Sequence, residues 1–130
     1  MEIPFDSTRK RMSVIVKPKG ESENVYVMTK GADNIIIPRC RLTQNQKNKI
    51  KAQLYNFSCE GLRTLVLGQK TIEKNYFNTW YEKYNKYAIS TDENKDIHIN
   101  DLFNEIEIDL QYVGSTAIED KLQDVSYINK

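Results

Sequence analysis

Two β-branched runs separated by one polar turn constrain the fold most. Residues 12–16, Met-Ser-Val-Ile-Val, read as a strand that stops at Pro18. Lys17-Pro18-Lys19-Gly20-Glu21-Ser22-Glu23 is polar and carries both Pro and Gly, a turn signal. Val25-Tyr26-Val27-Met28 reads as the returning strand, so residues 10–30 form a β-hairpin with a long loop.

The rest of the chain alternates helix and strand. Gly31 opens a short helix over 32–37, stopped by Pro38. Thr43 is the expected N-cap of a helix over 44–60, in which Ile50, Leu54 and Phe57 mark one apolar face. Gly61 stands where a glycine ends such a helix. Residues 62–70 read as a strand, and the continuous run Leu65-Val66-Leu67 predicts a buried central position. Thr71 is expected to cap a third helix over 72–89, with Phe77, Trp80, Tyr81 and Tyr84 at helical spacing as a packing face. That helix holds no arginine to interleave with its rings, which argues against a nucleic-acid platform. Residues 90–96 form a polar loop, 97–107 a fourth helix starting near Asn100, and 110–118 a final strand. The pattern predicts an α+β fold, an antiparallel or mixed sheet flanked by helices on one side.

With 130 residues, 39% hydrophobic and 28% charged, the chain suits one globular domain. A net charge of +1 argues against a general nucleic-acid binder. Cys40 and Cys59 read as reduced thiols, and a single histidine, His98, leaves no zinc-ligand pattern. No run approaches the roughly 20 apolar residues of a membrane span, and the charged N-terminus lacks the apolar stretch of a signal peptide.

Four segments carry the chemistry. Phe5-Asp6-Ser7-Thr8-Arg9-Lys10-Arg11-Met12-Ser13-Val14 places an aromatic ring, hydroxyls and three adjacent cations ahead of the first long strand. Lys30-Gly31-Ala32-Asp33, Glu60-Gly61-Leu62-Arg63-Thr64-Leu65 and Gly114-Ser115-Thr116-Ala117-Ile118-Glu119-Asp120-Lys121-Leu122-Gln123 follow in that order. A ring suits a base, hydroxyls suit a sugar or amide edge, and cations suit phosphate. Taken singly, Phe5 reads first as a core residue and Lys30 as a solvated lysine, and Arg63 has an alternative as a partner for Glu60.

The four blocks together resemble the nucleotide-binding (N) domain of P4-type ATPases, the phospholipid flippases. The resemblance runs from Phe5 to Gln123 and assigns residues 1–118 to a partial N domain and 119–130 to an exit or hinge segment toward an absent phosphorylation (P) domain. It implies that Phe5 stacks on adenine, Lys30 lines the adenine pocket and Arg63 contacts the phosphates of ATP. Ser7, Lys10, Met12 and Ser13 are secondary candidates: hydroxyls for base or ribose, an ammonium for phosphate, a thioether beside the base. Asp120 matches the acid of the hinge. Mg²⁺ would arrive with the nucleotide and be held mainly by absent domains, and no residue here is expected to ligate it.

The family's phosphorylated D-K-T-G aspartate, its Mg²⁺-holding T-G-D and G-D-G-x-N-D segments and its upstream acidic D-E-x-A-L segment do not occur in this sequence. The expectation is therefore an excised piece that binds ATP and presents the γ-phosphate to an aspartate elsewhere, without catalysis of its own. The implied partners are the P and actuator domains, with phospholipid reached only through absent transmembrane helices. The implied location is the cytoplasmic side of an integral membrane protein. A flippase-like module of a protist guanylyl cyclase, with a regulatory role, is the alternative. A plain protein-interaction domain without a nucleotide site is the third reading.

Overall fold

The computed structural model describes residues 1–20 and 23–119. Five strands, β1 (Glu2–Ile3), β2 (Arg11–Val16), β3 (Asn24–Gly31), β4 (Arg63–Glu73) and β5 (Gln111–Ile118), lie side by side in chain order, every neighbouring pair antiparallel. Between β3 and β4 come α1 (Asp33–Ile36), a 3₁₀ turn (Ile37–Arg39) and α2 (Gln44–Cys59). Between β4 and β5 come α3 (Lys74–Ala88) and α4 (Lys95–Ile106). The expected α+β fold is present, and its sheet is wholly antiparallel.

Side-chain alternation divides the sheet into two unlike faces. Arg11, Ser13 and Ile15 of β2 and Val25, Val27, Thr29 and Gly31 of β3 are buried, while the residues between them are exposed or half-buried. Register carries that division across: Gly31 pairs with Val66, and Thr29 with Gly68. One apolar cluster joins Ile3, Ile15, Val25 and Val27 to Phe77, Trp80, Leu102 and Ile106 of α3 and α4. A second joins Val66 to Ile36, Ile37, Leu54 and Leu110. Because Val27 and Val66 share a face, both helix pairs cover the same side and leave the other side open.

The aromatic helix packs through Phe77, Trp80 and Tyr84 of the expected face, while Tyr81 stacks on Phe77 and Tyr84 but stays exposed. Phe77 and Trp80 are buried, and the Trp80 and Tyr84 rings stack with centroids 5.7 Å apart. The Trp80 indole N–H donates to the Leu102 carbonyl at 2.9 Å, tying α3 to α4 while satisfying a buried donor.

Both ends of α2 match the sequence reading. The Thr43 hydroxyl accepts from the Gln46 amide at 3.2 Å, and the Gln46 side chain accepts from the Thr43 amide at 2.9 Å, a capping box. At the other end Gly61 sits at φ +79°, with Gly61 N–H donating to Ser58 O and Leu62 N–H to Phe57 O, a Schellman motif.

Several boundaries differ from expectation. Gly31 ends β3 instead of opening a helix, because it pairs with both Arg11 and Val66. Pro38 does not stop the helical segment; it sits at the start of the 3₁₀ turn, where a missing N–H costs nothing. Thr71 caps no helix: β4 continues through it to Glu73, pairing Tyr26 with Thr71 and Asn24 with Glu73, and α3 begins at Lys74. Helix α4 begins at Lys95, earlier than Asn100, after a turn in which the Asp92 carboxylate accepts from the Asn94 amide at 2.9 Å. Leu110 stands just outside β5 in an isolated bridge to Cys40. Strand β1 has two residues, too few to carry a period, and was not expected. The proposed hinge segment, Asp120 included, lies outside the described residues apart from Glu119.

Candidate functional site

The open face of the sheet carries a groove of about 340 Å³, lined mainly by Met12 and Val14 of β2, Met28 and Lys30 of β3, Leu67 and Gln69 of β4, and Val113 of β5. Its walls are almost entirely apolar, with Lys30 the one charged lining residue. A volume near 300 Å³ with few polar groups suits a flat heteroaromatic ligand. Register builds the central row. Met12 pairs with Lys30, Lys30 with Leu67, and Leu67 with Gly114, so those residues lie side by side across four strands. A register shift follows at Leu67/Gly68, where Gly68 pairs with Tyr112; Val113 is the extra residue of this bulge and turns into the groove.

Arg63 belongs to the same face. It alternates with Leu65, Leu67 and Gln69 along β4, and at about 3.3 Å per residue it lies roughly 13 Å from Leu67 along the strand. It borders a neighbouring recess with Thr64, Leu65, Ile118 and Glu119. Phe5, Ser7 and Lys10 sit on the connection between β1 and β2, all exposed, with Phe5 retaining 60% of its accessible surface. This connection enters β2 at Arg11, next to Met12, so it stands at the same end of the sheet as Arg63 but on the β2 side.

The seven candidate residues therefore divide. Met12 and Lys30 line the groove, Arg63 continues its face, and Phe5, Ser7 and Lys10 ride the adjoining connection. Ser13 does not join them. It is fully buried on the helix-covered face, where its hydroxyl meets Thr29 Oγ1 at 2.7 Å and donates to the Glu107 carboxylate. The strand alternation that exposes Met12 necessarily turns Ser13 inward.

The three cations divide in the same way. Arg9 and Arg11 turn toward the helices, where each pairs with the buried carboxylate of Glu107. Arg11 also donates to Asn104 at 2.7 Å, and Arg39 donates to the Glu107 carbonyl at 3.2 Å. Burial lowers the pKa of Arg11 from its ordinary value; Glu107 opposes that shift, while Arg39 and Arg9 add to it. Only Lys10, held at φ +56°, presents its charge outward. Arg9 and Arg11 are thus core cations balanced by one carboxylate, and of the expected run of three cations Lys10 alone stays outward.

Gly31 is required by the protein chain itself. A Cβ there would stand 2.5 Å from the Lys10 carbonyl oxygen and 2.8 Å from Arg11 Cβ, so glycine lets the end of β3 close against the start of β2. That approach sets the spacing between Lys30 and the connection bearing Phe5.

The sequence reading missed Val14, Met28, Leu67, Gln69 and Val113 as groove residues, and Glu107 as the buried anion. The signal for the first group was the uninterrupted apolar run at 65–67 in a sheet covered on one side. Only Val66 of that run is fully buried; Leu65 and Leu67 face the open side. The signal for Glu107 was Arg11 and Ser13 on the inward face of β2 with Arg9 just ahead of it, two cations and a hydroxyl in need of an anion.

Cys40 is buried, with its thiol pKa pushed up by burial, and Cys59 is exposed; both are free. Among the described residues no group of three His, Cys, Asp or Glu is placed to hold a metal, and no helix is long and apolar enough to cross a membrane.

Comparison with known proteins places this architecture. The family pattern described as P-type ATPase, cytoplasmic domain N, matches residues 1–124. A phospholipid-transporting ATPase of Schizosaccharomyces pombe is 42% identical over 123 residues, 94% of this chain and 9% of that protein. Phospholipid-transporting ATPase IC of Homo sapiens is 41% identical over 123 residues, 94% of this chain and 10% of that protein. Phospholipid-transporting ATPase 10 of Arabidopsis thaliana is 34% identical over 122 residues, 93% of this chain and 10% of that protein. The chain spans about a tenth of the length of the curated relatives it matches. With a match over nearly its whole length, the chain belongs to the P-type ATPase cytoplasmic domain N family, the nucleotide-binding domain of these pumps.

Proposed function

We propose that this domain holds ATP on the open face of its sheet and serves a phospholipid-transporting pump. The observation that carries this reading is the Met12–Lys30–Leu67 row in an apolar groove that continues along one strand face to Arg63. The base lies against Met12 and Leu67, with the Phe5 ring closing over it from the connection and Lys30 offering a donor at the edge. The phosphates run toward Arg63, whose planar guanidinium suits bidentate contact with their oxygens. Mg²⁺ travels with the nucleotide and is held elsewhere in the pump.

In the parent protein this domain delivers the γ-phosphate to an aspartate of the P domain, and turnover with the actuator domain drives phospholipid movement through membrane helices. The domain itself faces the cytoplasm and performs no hydrolysis alone. One stacking contact and a few exposed polar contacts net about −4 to −5 kcal/mol, a Kd from roughly 1 mM to a few hundred μM.

Two variants test the assignment. Phe5→Ala should weaken adenosine and ATP alike by about tenfold, the loss of one stacking contact worth roughly 1–3 kcal/mol. Arg63→Ala should weaken ATP more than adenosine. Equal loss of both ligands in Arg63→Ala would remove the phosphate role.

A further inference from the structure

We infer that Glu107 and Arg9 form a positioning clamp for the segment that carries Phe5, an inference that rests on the nucleotide reading above. Glu107 is fully buried immediately after α4, and its carboxylate receives the Arg9 guanidinium on one oxygen and the Ser13 hydroxyl on the other. The same guanidinium reaches back to the chain on both sides of the connection. Arg9 Nη1 donates to the carbonyl of Pro4, the residue before Phe5, at 3.1 Å, and lies 3.5 Å from the carbonyl of Arg11, the first residue of β2. Its central carbon sits 5.1 Å from the centroid of the Phe103 ring on α4. One planar group thus ties the two ends of the connection to a helix on the covered side of the sheet.

Pairing fixes the connection at its two ends, where buried Ile3 pairs with Ser13 and the Lys10 carbonyl accepts from the Ala32 amide at 3.1 Å; residues 5–8 between them have only a local turn besides Arg9. The Asp6 carboxylate accepts from the Thr8 and Arg9 amides at 2.8 and 2.6 Å, and Lys10 N–H donates to the Asp6 carbonyl at 2.8 Å. These bonds shape the turn internally, but they do not fix it to the body of the domain. The Phe5 ring is exposed and finds no seat in either apolar cluster. Buried Ile3, paired with Ser13, sets where the connection leaves the sheet, and the Arg9 bond to the Pro4 carbonyl sets the course the chain takes into Phe5. Lysine cannot replace Arg9 here, because a single ammonium lacks the fork that serves a carboxylate and two carbonyls from one plane.

The test uses Arg9→Lys, with Glu107→Gln as the second variant; glutamine keeps an acceptor for Ser13 and removes the charge that Arg9 requires. In ligand-free protein, ¹⁵N relaxation should show lower order at residues 5–8 in both variants while the amides of β3 and β4 keep theirs. If the ordered position is then populated about a fifth of the time, adenosine and ATP both weaken by about fivefold, with their ratio unchanged. In a Phe5→Ala background Arg9→Lys should cost no further affinity, since the clamp acts through that ring. Unchanged order at residues 5–8, or losses for Phe5→Ala and Arg9→Lys that simply add, would overturn the clamp. Wild-type protein that gives no saturable response to adenosine would overturn the nucleotide reading itself, whereas binding by wild type and Arg9→Lys with equal affinity would overturn only the positioning role.

Discussion

The turn into β2 and the alternation along it decide which polar residues face the open side of the sheet and which hold the protein together. Arg11 and Ser13 share the inward parity of β2 and meet Glu107, Met12 faces outward between them, and on the preceding turn Arg9 reaches Glu107 while Lys10, at φ +56°, stays exposed. The types of residue in this motif were legible in the sequence, but their partition was not, because the anion that sorts them lies more than ninety positions away. Lys30 and Met12 were singled out through the motif blocks that carry the family resemblance, whereas Val14 and Met28 looked like ordinary strand residues until one face proved uncovered.

Tyr76 offers a pH test at the same scale. Partial burial, with its hydrogen bond to Glu105 and that carboxylate's charge, pushes its hydroxyl up to about 12 from an ordinary 10. The folded state thus keeps a proton that the unfolded chain releases earlier. Tyr76 contributes stability in full below pH 10 and loses that contribution as the pH climbs toward 12. Denaturant midpoints followed over that window should fall less steeply in Tyr76→Phe than in wild type; parallel curves would contradict the upward shift.

Elements announced their ends more clearly where a side chain or a glycine closes them than where pairing does. Thr43, Gln46 and Gly61 fixed α2 because capping chemistry is local. The ends of β3 and β4 were misjudged because each strand extends as far as its neighbour offers partners, which local propensity does not record. Gly31 shows the consequence for the site. An alanine there would drive its Cβ into the Lys10 carbonyl and the Arg11 backbone, neither of which is a flexible chain end. Gly31→Ala should destabilise the domain by about 1–3 kcal/mol, as overpacking of a tight contact does. It should also displace the connection that carries Phe5. A lower denaturant midpoint at unchanged slope would record the first effect, and weaker adenosine binding by the folded protein the second. A neutral substitution would mean that β2 and β3 can separate at this end without cost.

The whole molecule is a sheet with one face packed by helices and one left open with a groove. Its four helices bury the first face in two apolar clusters, and the second face stays open with Met12, Met28, Leu67 and Val113 around a single lysine. The overall plan followed from alternating hydrophobicity and turn residues. The groove emerged only from register, since it is shared by four strands distant in sequence. At this scale the domain should behave as a weak, reversible nucleotide holder. The most direct measurement is an ATP titration of ¹⁵N-labelled protein followed through its backbone amide shifts. The account predicts saturable shifts, in the range of roughly 1 mM to a few hundred μM, concentrated at Phe5, Met12, Lys30, Leu67 and Arg63. A folded protein whose shifts stay fixed at millimolar ATP, or move only on the helix-covered side, would contradict it.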